Sequence, residues 1–368
     1  MSVLSGLCNQ YLMSSEELVN MKEKTGKIRL EYLDIAKAIL IITVLLVHCM
    51  DPKGNIPFWA KLLCSFNMPL FFAICGITSR KELDYSLKGF LKFLGNNAFA
   101  LLLPYFIWGL IYSPFNLKSM GVLLYGSGRM IIAGGAGNNQ LWFLPCLFLV
   151  RVGMYGVIFL EQKVYRYRMP VLFALSVISF AIGFLAPKLE TGYPWCADIA
   201  FVAMGFMILS HLNTDYLNGM DRKPMWIQVV LAVGAGTALL LGNLYGATNL
   251  TAGFVSMCTS QYGNIFWFLL NALAGTVCVR VISSMIARID ISSRLGWFKK
   301  SMNWLGQNTM GIFITHMPFT VVYIAFPLSA MLETSSSVFW VACICASLML
   351  AFSIVVSLLI NAVFAPSF

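Results

Sequence analysis

The chain has 368 residues, of which 59% are hydrophobic and only 11% are charged, and its mean hydropathy is +0.79. Because soluble domains usually carry about 25% charged residues, this composition excludes a soluble enzyme, a disordered protein and a nucleic-acid-binding module. The net charge of +10 is then explained by the excess of Lys and Arg in the cytoplasmic loops of membrane proteins, without a nucleic acid as partner.

The N-terminal segment 1–30 contains several Glu and Lys residues and no long apolar core. It does not resemble a cleavable signal peptide, which has such a core followed by a small-residue cleavage site. We interpret 1–30 as a cytoplasmic segment and 31–368 as one transmembrane domain, because the polar stretches between the apolar runs are too short for a second globular domain.

Ten apolar runs follow in chain order, and each is close to the 20 or so residues that a membrane-spanning helix needs. They lie near 32–50, 59–79, 90–112, 141–160, 169–186, 194–212, 224–242, 264–287, 303–327 and 338–364. Between the third and fourth runs, the Gly-rich stretch 113–140 is the longest break and is expected to be a loop. The sequence therefore predicts an all-α, polytopic integral membrane protein with about ten transmembrane helices.

The distribution of Lys and Arg predicts how these helices are oriented. Seventeen of them lie in the loops on the side of the N-terminus, and five lie in the loops on the opposite side. Cytoplasmic loops carry the excess of positive charge, so both termini are expected in the cytoplasm. The predicted location is a cell membrane, with multiple passes, and the bacterial inner membrane is the expected one.

The first apolar run carries three ionisable residues, Asp34, Lys37 and His48. At 100° per residue, Lys37 and His48 lie about 20° apart around a helix and about 16 Å apart along it. Asp34 is one turn from Lys37 and can pair with it. Ionisable residues inside a membrane are functional candidates. The structural alternative is that Asp34 and Lys37 reach the inner interface and His48 ends the helix at the outer one.

Four further polar residues fall in or beside later runs. Arg151, near the middle of the fourth run, requires a partner or a water-filled cavity. His316, in the ninth run, is either a core histidine or part of a site. Arg280 is expected to extend to the inner interface, and His211 is expected at the surface. Neither the three histidines nor the ten cysteines show a metal-ligand spacing, so no metal site is expected.

The segment from Tyr32 to Lys37, followed by ten residues and His48, resembles the first helix of the membrane acyltransferase-3 family. That family has a basic residue, ten residues and a histidine there. Later segments resemble other helices of the family in order and spacing: Asn67–Gly76, Leu103–Trp108, Gln140–Pro145, Asp198–Ala200 and Leu305–Pro318. A Lys at the basic position is similar to the fucose 4-O-acetylase-like branch of sugar O-acetyltransferases.

One difference from the family concerns the acyl donor. Many members carry an Arg-x-x-Arg pair just before the proline of the third helix, for the donor's phosphates, whereas this chain has Asn96, Asn97 and Ala100 there. Lys88 and Lys92 are the nearest cations, and because they are four residues apart they share a helix face. They are candidates for binding the donor, and the alternative is an ordinary cytoplasmic flank of positive charge.

The resemblance implies a membrane O-acyltransferase domain that moves an acetyl or larger acyl group from cytosolic acetyl-CoA to a hydroxyl of a sugar, glycolipid or cell-surface polysaccharide. It implies His48 as the general base, with Asp34 and Lys37 beside it in the catalytic set. The expected substrate-binding residues are Asn67, Trp142, Arg151 and His316. The expected partners are a sugar or glycolipid acceptor and the lipid bilayer, and a homo-oligomer is compatible with the sequence.

Two alternatives remain from the sequence. A polytopic transporter or flippase for a glycan or a lipid-linked sugar would also have ten helices and buried charges, but it would need neither acetyl-CoA nor a base. A scaffold subunit of a glycan-assembly complex would tolerate the loss of His48. Release of free thiol from acetyl-CoA in the presence of an acceptor distinguishes the enzyme from both.

Overall fold

A computed structural model of the protein describes residues 30–49, 56–79, 83–113, 117–131, 133, 139–220, 223–246, 253–317 and 338–364. The predicted N-terminal segment, apart from Leu30, lies outside these residues, and so does Pro318. Within them the protein is built of helices, and its β pairing is limited to one isolated bridge between Ser256 and Gln261. The all-α prediction is confirmed.

The helices are numbered here in chain order. They are α1 (Glu31–His48), α2 (Phe58–Cys64), α3 (Asn67–Ile77), α4 (Leu87–Asn97), α5 (Leu103–Tyr112), α6 (Leu117–Tyr125), α7 (Phe143–Lys163), α8 (Arg168–Leu185), α9 (Ala197–Leu212), α10 (Thr214–Gly219), α11 (Met225–Tyr245), α12 (Ile265–Ala287), α13 (Gly296–Gln307), α14 (Thr309–Thr315) and α15 (Val338–Phe364). A π-helical turn, Ala98–Leu102, joins α4 to α5, and a 3-10 turn, Asn139–Trp142, precedes α7. Helix α6 lies inside the stretch 113–140 that was expected to be a loop.

Eight helical segments of the described chain are long and apolar enough to cross a membrane. They are Phe58–Ile77, Leu87–Tyr112, Gln140–Lys163, Tyr165–Leu185, Pro194–Leu212, Met225–Tyr245, Ile265–Ala287 and Phe339–Leu358. The first and ninth predicted spans are not among them. Helix α1 carries the charges of Glu31, Asp34 and Lys37, and the ninth span is broken at Asn308 between α13 and α14 and continues outside the described residues after 317.

Helix α1 lies at the centre of the bundle, where it packs against α3, α12, α13 and α15. Its apolar side chains are buried around its whole circumference, and Ile35, Ala38 and Ile41 have no exposed surface. A helix that is hydrophobic on all sides is typical of a core position. The buried polar residues of α1, Asp34 and Thr43, therefore face other helices of the protein.

Helices α8 and α11 lie at the periphery. Of their apolar stretches, only 22% and 17% of the residues are buried, against 61% for Gln140–Lys163. Large apolar side chains such as Phe173 on α8 and Val233 on α11 are more than half exposed. Extended apolar surface of this kind marks contact with a membrane or another apolar partner, which agrees with a multi-pass membrane protein.

The bundle has two ends, named here the Glu31 face and the His48 face after the first and last residues of α1. At the Glu31 face, Lys299 of α13 approaches the Glu31 carboxylate to 2.9 Å and donates a hydrogen bond to the Ala287 carbonyl. At the His48 face, His316 follows the end of α14 and contacts His48. Helices α13 and α14 together therefore extend alongside α1 from the Glu31 face to the His48 face.

Two residues that were expected at the surface are buried. Arg280 is only 2% exposed, donates to the Leu217 carbonyl at 2.6 Å and stacks on the Tyr32 ring at 3.6 Å. His211 is 1% exposed, and its Nε2 lies 2.8 Å from the carboxylate of Glu161 on α7. Both expectations were wrong, because the partners that bury these side chains come from helices distant in sequence.

Candidate active site

Two histidines meet at the His48 face. The rings of His48, at the end of α1, and His316, just after α14, have their centroids 5.2 Å apart and are inclined by 72°. His316 has no exposed surface, whereas His48 is partly exposed. The sequence pointed to each histidine separately, but it gave no signal that they are in contact.

Backbone carbonyls determine which ring nitrogen of each histidine is available. The Nδ1 atom of His48 lies 2.7 Å from the Val44 carbonyl oxygen, and the Nδ1 atom of His316 lies 2.7 Å from that of Phe313. A carbonyl oxygen only accepts hydrogen bonds, so in a neutral ring the proton is on Nδ1 and the lone pair is on Nε2. The His316 Nε2 atom is buried without a hydrogen-bond partner in the described part of the chain.

Aromatic side chains adjoin this histidine pair. The Phe313 ring lies 5.7 Å from the His316 ring, and the Phe143 ring lies 5.4 Å from Phe313. Trp142, predicted to bind substrate, is buried and packs edge-on against Phe143 at 6.1 Å. Apolar walls of this kind exclude water, which strengthens the electrostatic interactions of the imidazoles with a bound group.

Asn67, the other predicted substrate-binding residue near this depth, has a local role in the structure. It is 5% exposed and begins α3, and its Oδ1 accepts a hydrogen bond from the Met68 backbone N–H at 2.7 Å. Such an interaction satisfies one of the N–H groups that a helix start leaves unpaired. Substrate binding by Asn67 stays a prediction.

Asp34 and Lys37 form the ion pair that their spacing predicted. The Lys37 ammonium lies 3.4 Å from the Asp34 carboxylate, and Asp34 is 4% exposed. The pair is about 16 Å from His48 along α1, so it does not touch the histidine pair. Lys37 is instead within electrostatic range of Cys75, which lines a cavity at the Glu31 face.

This cavity has a volume of about 610 Å³ and lies between the end of α3, α4, α7 and α9. Its lining is mixed: Thr78 and Asn96 contribute polar groups, and Lys92 and Arg151 contribute positive charge. A site lined by hydroxyl, amide and cationic donors suits an anionic ligand, because hydrogen bonds from cations to phosphate or carboxylate are stronger than neutral ones.

Arg151 has a hydrogen-bond partner and borders a cavity, the two features that were expected to accommodate a cation in a membrane helix. It borders the cavity, and its Nη1 donates a hydrogen bond to the Asn97 Oδ1 at 3.0 Å. The Asn97 amide nitrogen in turn donates to the Phe93 carbonyl at 2.8 Å, which fixes the orientation of the amide. A cation from α7 thus reaches the part of α4 where this chain lacks the family's arginine pair.

The two lysines predicted to bind the donor differ in position. Both are exposed, but Lys92 lines the cavity and Lys88 is not among the lining residues. The carboxylate of Asp84 also lines the cavity, and the backbone N–H and hydroxyl of Ser86 hold the pKa of this carboxyl below its usual value. With Asp84 ionised, Lys92 and Arg151 still leave the cavity with an excess of positive charge.

Comparison with known families agrees with the site. A family model described as an acyltransferase domain matches residues 30–358, which include both histidines and the cavity. The chain belongs to the acyltransferase-3 family. It is therefore a membrane acyltransferase, and nothing in the comparison supports a transporter or flippase. No curated protein and no solved structure matches the chain.

Proposed function

We propose that this acyltransferase moves an acetyl group, or another small acyl group, from acetyl-CoA to a hydroxyl of a sugar, glycolipid or cell-surface polysaccharide. The observation that carries the proposal is the contact of His48 and His316, each with its Nε2 available as a base. A hydroxyl is a poor nucleophile until a base takes its proton, and a positioned imidazole contributes about 10²–10⁴-fold to the rate. The resemblance to the fucose 4-O-acetylase-like branch favours a sugar hydroxyl.

The proposed topology has ten passes, with α1 and the α13–α14 pair added to the eight apolar segments. Helix α1 has 18 residues and is about 27 Å long, which is close to the hydrocarbon thickness of about 30 Å. The contacts of Glu31 with Lys299 and of His48 with His316, at opposite ends of these helices, support this count. The excess of Lys and Arg in alternate loops favours a cytoplasmic Glu31 face and cytoplasmic termini, as in a bacterial inner membrane.

In this topology the cavity with Lys92 and Arg151 opens toward the cytoplasm, where acetyl-CoA is available. The two cations suit the phosphates of the donor, Arg151 through its fork of N–H groups and Lys92 as a mobile point charge. The Asp34–Lys37 pair lies near the cavity end of α1, with Lys37 within electrostatic range of the cavity residue Cys75. We assign it the positioning of the donor and of α1, because it does not reach the histidine pair.

The proposed reaction is direct transfer. The Nε2 atom of His48 takes the proton of the acceptor hydroxyl while the hydroxyl oxygen forms a bond to the acyl carbon. The bond between that carbon and the donor sulfur breaks, and the thiolate recovers the proton from the His48 imidazolium, so that an ester and a free thiol leave the site. His316, with its buried Nε2, accepts a hydrogen bond from the acceptor and holds it beside His48.

Membrane vesicles test this function. Vesicles that contain the protein should release free thiol from acetyl-CoA only when a glycolipid acceptor is added, and the acceptor should gain the mass of one acetyl group. Vesicles with His48→Ala at equal abundance should release none above background. Acceptor movement across the bilayer without thiol release would indicate a transporter, and an unchanged His48→Ala variant would indicate a scaffold.

A further inference from the structure

Four phenylalanines connect α3, whose Cys75 lines the cavity, to the histidine pair. We call Phe71, Phe72, Phe143 and Phe313 the aromatic partition. The ring of Phe143 is at its centre, with centroids 5.7 Å from Phe71, 5.2 Å from Phe72 and 5.4 Å from Phe313. Within this group, Phe143 contacts the rings of α3 on one side and the ring of α14 on the other.

The aromatic partition contacts the histidine pair directly and is linked to the cavity through α3. Phe71 and Phe72 lie about one turn before Cys75 on α3, and Cys75 lines the cavity. At the other end, the Phe313 ring lies 5.7 Å from His316, which contacts His48. A series of ring contacts therefore leads from α3, about one turn from the cavity lining, to the histidines.

Three of the four rings of the aromatic partition are buried, and Phe71 is partly exposed. Phe72 has no exposed surface, and Phe143 and Phe313 are each 6% exposed. Arg151, at the cavity, is about 12 Å along α7 from Phe143. A thioester that enters from the cavity and follows this series of rings passes beside the Phe143 ring before its acyl carbon meets the Nε2 atom of His48.

We propose that Phe143 determines which acyl groups are transferred, by limiting the space through which the acyl end of the donor reaches the histidine pair. This inference rests on the proposed function. The ring admits a short acyl group, and each additional methylene must displace close-packed aromatic atoms. In the same way, the aromatic partition keeps water in the cavity away from the thioester once its acyl end has passed Phe143.

A chain-length series tests this inference. Wild-type, Phe143→Ala and Phe143→Leu membranes, at matched abundance, are given acetyl-, propionyl-, butyryl- and hexanoyl-CoA with one acceptor. A binding pocket discriminates against one additional methylene group by about 10–200-fold in kcat/KM. We therefore expect Phe143→Ala to raise the ratio of butyryl to acetyl transfer about tenfold or more. Phe143→Leu should give a ratio between those of Phe143→Ala and the wild type. Phe143→Ala should also release more thiol in the absence of acceptor.

Phe268→Ala is the matched control. Phe268 is 1% exposed and packs against Phe184, Phe206 and Tyr262, outside the aromatic partition. Its truncation also removes a buried ring and should lower stability, but it should leave the chain-length ratio unchanged. The Phe143→Leu variant keeps most of the buried volume, so the ratio can be measured even if Phe143→Ala does not accumulate.

A binding measurement provides a readout that does not depend on turnover. Purified protein is titrated with S-ethyl- and S-butyl-CoA, thioethers that cannot transfer their alkyl group. We expect the wild type to bind the S-butyl compound more weakly, and the Phe143 variants to lose this difference. The inference would be overturned if both Phe143 variants kept the wild-type butyryl-to-acetyl transfer ratio and the wild-type preference for S-ethyl-CoA. It would also be overturned if Phe268→Ala changed these ratios as much as the Phe143 variants do. Neither outcome would contradict the proposed acyltransferase function. A wild-type protein that neither binds nor uses any acyl-CoA would overturn the proposed donor as well.

Discussion

Gly306 of α13 lies directly against the backbone of Asp34 in α1. A β-carbon added at Gly306 would stand 1.7 Å from the Asp34 carbonyl oxygen, far inside contact distance. The missing side chain therefore lets α13 approach α1 at the level of the Asp34–Lys37 pair. Because α13 also binds Glu31 through Lys299, it fixes the start of the helix that ends in His48.

Gly306→Ala should therefore destabilise the protein. The backbone of Asp34 cannot move aside as a flexible side chain can. We therefore expect the free energy of unfolding to fall by about 1–3 kcal/mol, the usual effect of overpacking. Gly95→Ala is the control, because Gly95 lies in α4 and a β-carbon there would meet nothing within 4 Å. That variant should gain up to about 1 kcal/mol from helix propensity. Thermal unfolding of both variants in detergent shows whether each substitution lowers or raises the Tm. Equal changes in Tm for the two variants would contradict the close contact between Gly306 and Asp34.

The cavity at the Glu31 face offers a comparison between two lysines of one helix. Lys92→Ala should raise the KM for acetyl-CoA several-fold, because Lys92 lines the cavity, and Arg151→Met should raise it further, because it also removes the hydrogen bond to Asn97. Lys88→Ala, which removes an equal charge outside the cavity, should leave the KM unchanged. Equal effects at Lys88 and Lys92 would indicate a general electrostatic effect of the membrane surface.

Lys37 should tolerate another cation but not a neutral side chain. Lys37→Arg keeps the charge beside Asp34, which is 4% exposed, and should retain most of the activity. Lys37→Met removes the positive charge beside that buried carboxylate and should lower both membrane abundance and activity. The double variant Asp34→Asn, Lys37→Met removes both charges, so recovery of abundance without recovery of activity would separate the structural role of the pair from its role in catalysis.

The sequence predicted relationships between residues of the same helix, but it missed contacts between residues of different helices. Helical periodicity placed Lys37 and His48 on one face and paired Asp34 with Lys37, because those relationships depend only on local geometry. The contact of His48 with His316 and the hydrogen bond of Arg151 to Asn97 depend on how distant helices pack, and no periodicity encodes that. The charges of α1 also explain why this central helix is not among the eight segments that are long and apolar enough to cross a membrane.

His211 is another residue whose contact with a distant helix was not predicted from the sequence, and it was expected to be unimportant. The sequence placed it at a loop edge, where replacement by Ala would be neutral. The structure buries it against Glu161, which also forms an ion pair with Arg168. We expect His211→Ala to cost about 1–3 kcal/mol of stability, because the Glu161 carboxylate, whose side chain is only 12% exposed, loses a hydrogen bond. His211→Gln, which can still donate to Glu161, should recover part of this loss in a thermal unfolding assay.

Replacement of the two histidines of the candidate active site should have different effects on activity. If His48 is the base, His48→Ala should lower acetyl transfer about 10²-fold or more while the protein still reaches the membrane. His316→Ala leaves that base in place, so its effect should be smaller and should fall largely on the KM for the acceptor that His316 positions.

Asparagine variants make this comparison sharper. His48→Asn and His316→Asn each keep a polar side chain near the ring position, but an amide cannot take a proton as an imidazole can. We therefore expect His316→Asn to recover acceptor binding and His48→Asn to remain inactive, with donor binding unchanged in both as measured with S-ethyl-CoA. An active His48→Asn together with an inactive His316→Asn would exchange the two roles. The base would then be the fully buried histidine after α14, and His48 at the end of α1 would hold the acceptor.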